Sequence, residues 1–369
     1  MNDGFIENIS NGTLRRIAGK VIRGIPVSEA DALFMLGTDH ILELGLIADA
    51  LRTKLHGNRA YYEVNINLNY TNVCELRCPL CAFFRVEGDT GAFTLGLDEI
   101  EAKIRQADAS GIDEVHIVGG LNPKLKIGYF EEMLRRIKAV NPEIFIVAFT
   151  AVEYDYFARI NGLPLEEVLV RMQQAGLGAL PGGGAEVFSP RLRQAIAPRK
   201  IPGKRWLEVM RVAHSLGLQT NATLLYNHLE TPGDIVDHLS QIRSLQNETG
   251  GFKTFVPLAY HDARTDIRAR RKQTTGFGDI RLFAASRIFL HNVPHLKSLW
   301  MYLGEKMAQL LLSFGVDDLG GTYHEEKVVH SAGATTPDGG NERHLRRLIE
   351  EAGLRPARVA ANYQARQGQ

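Results

Sequence analysis

The strongest constraint on the fold is an alternation of short β-rich runs and longer amphipathic stretches that repeats along most of the chain. Apolar side chains at three- and four-residue spacings predict helices in the longer stretches, several of which close with a glycine or asparagine suited to a helix C-terminus. The predicted strands are Glu63–Leu68, Glu114–Val118, Ile144–Phe149, Ala179–Leu180, Gln219–Leu224, Lys253–Pro257, Leu296–Trp300 and Val316–Leu319. Strands that alternate with helices over short connections form a parallel sheet, and about eight units predict an α/β fold of the (β/α)8 TIM-barrel type. A doubly wound open sheet is the alternative architecture.

The same periodicity predicts how the chain is divided. Residues 1–58 are expected to form an N-terminal helical layer, because SEADALFMLG and ILELGLIADALRTKLHG space their apolar side chains as helices do. Residues 59–320 are expected to form the barrel, and residues 321–369 a C-terminal extension that packs on it. The polar tail from Ala357 is expected to fray.

Composition excludes several classes of partner. The 43 basic and 42 acidic residues give a formal net charge of +1, so the chain has no global attraction to nucleic acid or to an anionic membrane. No stretch approaches the roughly 18 uninterrupted apolar residues of a membrane span, and the N-terminal segment lacks the apolar core of a signal peptide. These features predict a cytoplasmic protein that binds a small-molecule substrate at a local site.

The three cysteines of the chain, Cys74, Cys78 and Cys81, follow the first predicted barrel strand with the spacing C-x3-C-x2-C. An odd number within one short window does not suit a disulfide framework. One compact loop can present three thiolates to a 4Fe–4S cluster and leave one iron open, at the end of the barrel where such folds build active sites. Three alternatives remain: unreactive buried cysteines, a zinc site that lacks its usual fourth ligand, and a dithiol that leaves Cys74 unexplained.

Two glycine-rich segments follow other predicted strands. Gly119 and Gly120 would let the backbone approach a ligand closely, although a plain strand-ending turn also uses glycine. The segment PGGGAE, residues 181–186, contains three successive glycines, which lose much chain entropy unless the backbone must bend or leave room for a ligand. Glu186 at its end is a candidate catalytic or ribose-binding residue, with a charge at a helix N-terminus as the alternative.

Polar side chains also follow the fifth and eighth predicted strands. The fifth strand leads to a group expected near one rim of the barrel: Asn221, Thr223, Tyr226, His228 and Glu230. A histidine beside a carboxylate suits proton transfer at neutral pH, so His228 is the second candidate catalytic residue, with a packing role as the alternative. The later segment adds His324, Glu325 and Glu326, for which a solvated helix start is an equally good explanation.

The cysteine spacing, followed here by the aromatic pair Phe83-Phe84, resembles the signature of the radical S-adenosylmethionine superfamily. This resemblance implies a 4Fe–4S cluster on the three cysteines and S-adenosylmethionine as cosubstrate. The cosubstrate is cleaved to methionine and a 5′-deoxyadenosyl radical, with an electron from a low-potential donor such as flavodoxin or ferredoxin. The resemblance also assigns cofactor binding to Gly119 and Gly120, although Leu121 replaces the acidic residue that usually follows the glycine pair. Asn221 and Glu230, which are expected near the rim, are the further candidates for cofactor binding.

Within the superfamily, FTAVE at Phe149–Glu153 and AEVFSPR at Ala185–Arg191 resemble the aminofutalosine synthases of menaquinone biosynthesis. That resemblance implies addition of the radical to the enol-ether double bond of 3-[(1-carboxyvinyl)oxy]benzoate, which yields 6-amino-6-deoxyfutalosine, methionine and bicarbonate. The substrate is a dianion, so cationic or polar partners are expected. The predicted substrate-binding residues are Arg85, Arg191 and Tyr226, with His228 as a further candidate.

Several alternatives to this function stay open at the level of sequence. Cyclic dehypoxanthine futalosine synthases and the subunits of F0 synthase share the cysteine motif and GGGAE. A non-catalytic iron–sulfur protein, which relays electrons or holds its own fold together, is the alternative from another class. One departure concerns Asn227, which stands where a glycine usually precedes the rim histidine and either changes the loop or adopts left-handed geometry itself.

Overall fold

The computed structural model describes residues 3–269 and 276–364, and a curved sheet of parallel strands lies at its centre. The strands are β1 (Arg59–Glu63), β2 (Asn65–Leu68), β3 (Glu114–Ile117), β4 (Phe145–Ala148), β5 (Ala179–Leu180), β6 (Gln219–Tyr226), β7 (Phe252–Ala259), β8 (His295–Leu296), β9 (Asp318–Gly321) and β10 (Arg355–Arg358). Seven of them, β2 to β8, pair in the order of the sequence. A doubly wound sheet reverses its strand order at a switch point, so this order excludes that alternative.

Helices cover the outside of this sheet. They are α1 (Gly12–Ile22), α2 (Glu29–Gly37), α3 (Ile41–His56), α4 (Leu97–Asp108), α5 (Ile127–Val140), α6 (Ala151–Asn161), α7 (Leu165–Ala175), α8 (Pro190–Ile196), α9 (Gly203–Ser215), α10 (Pro232–Thr249), α11 (Phe277–Phe289), α12 (Trp300–Leu303), α13 (Glu305–Leu311), α14 (Val328–Ala332) and α15 (Glu342–Glu351). Short 3-10 helices cover Asp3–Asn8 and Leu312–Phe314. Gly176 and Gly250 end α7 and α10 in the left-handed conformation, as the sequence predicts for helix C-terminal glycines.

One segment, residues 317–324, contacts both edges of the seven-stranded sheet. Asp318 forms a parallel bridge with Lys297 beside β8, and His324 forms one with Ile66 of β2. Between these bridges Gly320 has a φ of 80°, which bends the segment and lets β9 pair with β1 instead. The predicted α/β barrel is confirmed, and the eighth predicted strand takes part in it through isolated bridges.

A second, three-stranded sheet has the order β10-β1-β9 and pairs a strand that precedes the barrel strands with two that follow them. After β10 the chain enters the base of the barrel, where Ala361 packs against Val147 and Ala179. The Tyr363 hydroxyl donates a hydrogen bond of 2.5 Å to Asp318. The expectation that the tail frays from Ala357 is therefore wrong as far as Tyr363, because this segment pairs with β1 and then packs at the base of the barrel. Residues 365–369 lie outside the described part of the chain.

The N-terminal helices pack against the outside of the barrel. Helix α2 contacts α10 and α11, and α3 contacts α11. Ser28 and Asp31 form a capping box at the start of α2. The division into residues 1–58, 59–320 and 321–369 stays a prediction. Within the described residues, no helix combines the length and the apolar character needed to cross a membrane.

Candidate active site

A cavity of about 340 Å³ extends from the C-terminal ends of the barrel strands into the barrel. Its mouth is formed by loops that follow the strands, and its inner end is formed by side chains near the strand beginnings. All three cysteines, Gly119, Gly120, Glu186 and Asn221 line it, together with residues such as Glu153, Lys200, Tyr260 and Tyr302. A cavity of this kind, at the C-terminal end of a parallel barrel, is the usual position of an active site in such folds.

The cysteine loop follows β2 and is held by its own backbone. The Cys74 amide donates to the Arg85 carbonyl at 3.1 Å, and the Cys81 amide donates to the Cys78 carbonyl at 2.9 Å. The Arg85 guanidinium donates to the carbonyls of Ala82 and Phe84. Arg85 therefore fixes the loop, and its side chain does not line the cavity as a substrate-binding residue would.

The three thiols line the same cavity, and each belongs to a cysteine that forms no disulfide. Burial raises the pKa of the Cys78 thiol to about 11 and that of Cys81 above its usual value, so cluster binding must release these protons.

The glycine pair after β3 packs against the cysteine loop. A Cβ atom on Gly119 would lie 2.6 Å from the Tyr70 ring, and one on Gly120 would lie 2.3 Å from the Val73 carbonyl oxygen. The Gly119 amide donates to a Glu153 carboxylate oxygen at 3.1 Å. Gly119 meets the Tyr70 ring and Gly120 meets the backbone of Val73, so neither position has space for a side chain, and Gly120 brings the segment after β3 against Cys74.

We expect Gly120→Ala to displace the cysteine loop and to lower the iron content of the reconstituted protein several-fold. The new methyl group would meet backbone at 2.3 Å, and backbone cannot rotate away as a flexible side chain can. Overpacking of this kind typically costs about 1–3 kcal/mol. Gly128→Ala is the matched control, because no heavy atom lies within 4 Å of its Cβ position. Wild-type iron content in Gly120→Ala would contradict this account.

Glu153 lines the cavity but was not predicted as a site residue, although the sequence shows the helix-capping pattern to which it belongs. It closes a capping box with Thr150 at the start of α6, a T-x-x-E pattern. Its carboxylate also accepts a 2.8 Å hydrogen bond from the Tyr70 hydroxyl. Burial raises the pKa of Glu153 to about 6, even though several hydrogen bonds lower it.

Glu186 lies on the cavity wall after β5 and forms a buried ion pair with Lys200. Its φ of 48° is unusual for a residue with a side chain. Burial by itself raises the pKa of Glu186, but the Lys200 ammonium brings this pKa below its usual value. The predicted position of Glu186 at the cavity is thus found, whereas Lys200 was not identified from the sequence.

The side chains of β6 alternate between the two faces of the sheet, so the residues expected near the rim do not all face the cavity. Asn221, Thr223 and Leu225 line the cavity, and the buried Oδ1 atom of Asn221 has no hydrogen-bond partner within the described structure. Tyr226 points the other way and donates from its hydroxyl to Asp279 in α11 at 2.7 Å. Successive side chains of a strand face opposite sides, so Tyr226 does not line the cavity, and its assignment to substrate binding stays a prediction that this position does not support.

His228 and Glu230 stabilise the turn that follows β6. His228 is buried, with Nε2 3.0 Å from the Leu225 carbonyl and its ring against Tyr260. The Glu230 carboxylate accepts hydrogen bonds from the amides of Asn227 and His228. Neither side chain lines the cavity, so the structure does not bring them to the position expected of catalytic or cofactor-binding groups. Asn227 has a φ of 68°, which shows that asparagine adopts the left-handed conformation here.

Charged residues on the other candidate loops mostly face outward. Arg191 is 60% exposed and pairs with Asp234, so it does not meet the cavity. Glu325 pairs with Lys103, and the backbone carbonyl of His324 accepts from Asn67. Glu326 does line the cavity and accepts hydrogen bonds from the amides at the start of α14. Neither Arg85 nor Arg191, the two arginines predicted to bind substrate, therefore lines the cavity.

Comparison with known proteins identifies the class of enzyme. Residues 68–242 match the model of the Radical SAM superfamily, and residues 249–369 match the CofH/MqnC C-terminal region. The chain is 39% identical to the aminodeoxyfutalosine synthase of Thermus thermophilus, over 97% of this chain and 97% of that protein. It is 36% identical to the cyclic dehypoxanthine futalosine synthase of Streptomyces coelicolor, over 95% of this chain and 88% of that protein.

The fold comparison agrees with the sequence comparison. The crystal structure of methylornithine synthase (PylB) matches with a TM-score of 0.75, over 93% of this chain and 97% of that one, at 15% identity. This similarity concerns the fold alone. Taken with the full-length relatives, it shows that the chain belongs to the radical S-adenosylmethionine superfamily of enzymes, which use a 4Fe–4S cluster and S-adenosylmethionine.

Proposed function

We propose that this enzyme is an aminodeoxyfutalosine synthase. In the proposed reaction, 3-[(1-carboxyvinyl)oxy]benzoate, S-adenosylmethionine and water give 6-amino-6-deoxyfutalosine, methionine and bicarbonate. The observation that carries the proposal is the near full-length similarity to the Thermus thermophilus enzyme of that name. A purely electron-transferring iron–sulfur protein is set aside because the full-length relatives named above are enzymes.

We assign the cluster to Cys74, Cys78 and Cys81. The three thiols line one cavity, and three thiolates would leave one iron of a 4Fe–4S cluster without a protein ligand. When bound, the reduced cluster supplies the electron that cleaves the sulfonium C–S bond of the cosubstrate. We propose a flavodoxin or a ferredoxin as the source of that electron.

The remaining side chains would bind and enclose the cosubstrate. We assign Gly119 and Gly120 to cofactor binding because both line the cavity and Gly120 packs against Cys74, and the unpartnered oxygen of Asn221 can accept a hydrogen bond from a ligand. Glu186 is held ionised by Lys200, so it can accept hydrogen bonds from ribose hydroxyls or a proton from the substrate. His228 supports this wall from behind, through the Leu225 carbonyl and the Tyr260 ring.

The fate of the adenosyl group separates this function from that of its relatives. With 3-[(1-carboxyvinyl)oxy]benzoate and a low-potential reductant, we expect label in the adenosine moiety to appear in a nucleoside joined to benzoate. Methionine should be released in equal amount, because addition chemistry retains the adenosyl carbon in the product. Anaerobic reactions resolved by chromatography with mass detection would measure both products, and reactions without the benzoate would give the uncoupled background.

The opposite result would identify a sister reaction. If the label were recovered almost wholly as 5′-deoxyadenosine while dehypoxanthine futalosine was cyclised, the proposed reaction would be wrong. The assignment to the superfamily would stand in that case.

A further inference from the structure

The outer side of the cysteine loop carries an excess of positive charge. Arg77 directly precedes Cys78 in the loop. The guanidinium groups of Arg159 in α6 and of Arg199, which follows α8, both reach the loop at Glu75. All three arginines are exposed, and none of them belongs to the cavity lining that the structure describes. We call these three arginines and Glu75 the outer arginine patch.

One carboxylate does not neutralise this patch. The Glu75 carboxylate accepts a 2.6 Å hydrogen bond from Arg159 and one of 3.3 Å from the Tyr156 hydroxyl. Arg199 donates to the backbone carbonyl of Glu75 at 3.4 Å, which leaves its charge without a counterion. The Arg77 guanidinium forms no hydrogen bond and no ion pair with any described residue. Three positive charges and one negative charge therefore leave the patch with a positive excess.

The segments beside the loop do not offset this excess. Segment 260–269, whose Asp266 amide donates to the Pro79 carbonyl at 3.0 Å, contains two aspartates and two arginines. The segment that follows the cysteine loop has two acidic residues, which are balanced in number by Arg85 and by Lys124, the partner of Glu87. The charge of the patch is therefore a local feature of the cysteine loop.

The patch lies beside the expected cluster ligands but outside the cavity. Glu75 directly follows Cys74, and Arg77 directly precedes Cys78, so the backbone that carries the patch also carries the ligands. The thiols themselves lie on the cavity side of the loop. A protein seated on the patch would contact the loop that holds the cluster and would leave the cavity free for the cosubstrate and the substrate.

Exposed guanidinium groups in this position favour an acidic protein partner. Complementary charge raises the rate at which two proteins meet, and electron-transfer interfaces are small, so a few charges have a large effect. The whole chain has a net charge of only +1, so the attraction of an acidic protein depends on the local excess. A low-potential carrier with an acidic surface, such as many flavodoxins and ferredoxins have, fits this requirement.

On the basis of the electron source named in the proposed function, we propose that the outer arginine patch is the docking site of an acidic one-electron carrier protein. Carboxylates of the carrier meet Arg77 and Arg199, which no carboxylate among the described residues neutralises, while Arg159 is shared with Glu75. The reduced carrier transfers one electron to the oxidised cluster and leaves in its one-electron oxidised form. No covalent bond forms or breaks in this step.

Anaerobic assays of the reconstituted enzyme with two kinds of reductant test this proposal. One kind is a carrier protein, with reduced flavodoxin and reduced ferredoxin in parallel series, and the other is reduced methyl viologen, a small cation. The rate of methionine release at limiting reductant is the readout. It is suitable because the cosubstrate must be cleaved in the proposed reaction and in its sister reactions alike.

We expect Arg77→Glu to lower the carrier-driven rate about 10-fold at low ionic strength, because a positive charge at the docking site becomes negative. The difference from the wild-type enzyme should shrink as salt is added, since salt screens exposed charges. The rate with methyl viologen should not fall, because the new carboxylate does not repel a cation. Arg199→Gln removes a charge without reversing it and should lower the carrier-driven rate by only about 2- to 3-fold.

A matched control makes the same change of charge at the other end of the barrel. Arg23 is exposed and precedes Gly24, which lines a small pocket with His291, shortly before the beginning of β8. Arg23→Glu should keep the wild-type rate with both kinds of reductant. Iron content and thermal unfolding of each variant would identify any damage to the loop or to the fold.

The possible outcomes separate this inference from the proposed function. If Arg77→Glu keeps the wild-type rate with the carriers, or slows equally with the carriers and with methyl viologen, the inference is wrong. It is also wrong if Arg23→Glu slows the carrier-driven reaction as much as Arg77→Glu does. If methyl viologen drives the wild-type enzyme but neither carrier does, the proposed electron source is wrong together with the inference. The benzoate reaction is judged by its own products, so it stands or falls separately.

Discussion

Replacing any one of Cys74, Cys78 and Cys81 with alanine is expected to abolish reductive cleavage of S-adenosylmethionine. The chain has only these three cysteines, so no other thiol can take the place of a missing ligand. The wild-type protein, reconstituted under anaerobic conditions, should carry about four irons and four sulfides per chain. Iron and sulfide assays, the electron paramagnetic resonance of the reduced protein, and methionine release would measure the effect.

A control in the same loop distinguishes loss of a ligand from general damage. Glu87 is exposed and pairs with Lys124, so Glu87→Ala should keep both the cluster and the cleavage activity. Tight binding of zinc by the wild-type chain, without a cluster, would show that the cysteines serve a different metal.

Lys200→Met is expected to destabilise the folded protein by about 3–5 kcal/mol, because it leaves the buried Glu186 carboxylate without its partner. The stabilising effect of Lys200 on the ionised carboxylate disappears, while the burial that raises the pKa of Glu186 remains. The variant is also expected to lose activity. Denaturant unfolding under anaerobic conditions, followed by circular dichroism, would measure the free energy of unfolding.

Two further variants test whether the unpaired charge of Glu186 causes the expected loss of stability in Lys200→Met. Glu186→Gln combined with Lys200→Met removes both charges and should recover most of the lost stability without recovering activity. Arg211→Met disrupts an exposed pair with Glu248 and should cost no more than about 1 kcal/mol. Equal destabilisation in Lys200→Met and in the double variant would mean that packing, rather than an unpaired charge, explains the loss.

The barrel could be predicted from the sequence because each of its helices and strands is marked by a pattern within its own short segment. Each helix has its own apolar stripe, and each strand its own run of β-branched and aromatic residues, so the predicted segments correspond closely to elements such as α4, α10 and β3. The path of β9 could not be predicted in the same way. Its pairing with β1 depends on a left-handed Gly320 and on a strand from the other end of the chain.

The candidate site was predictable only in part. The cysteine spacing placed three residues at the cavity because a single loop contains them all. Strand alternation would have excluded Tyr226, since it lies out of phase with Asn221 and Thr223. The arginines were misplaced for a different reason, because the direction of a long side chain on a loop depends on tertiary contacts. Arg85 turns back to carbonyls of its own loop, and Arg191 turns outward to Asp234.

The small sheet of β10, β1 and β9 has a consequence for the order of events during synthesis. Strand β1 is made early, but both of its partners belong to the last part of the chain. Its backbone groups therefore wait for partners that are made much later along the chain, and such long-range pairing forms slowly. The residues that close the base of the barrel, including Ala361, arrive later still. A cluster assembled on the cysteine loop before these residues are made would therefore lie in an unfinished barrel.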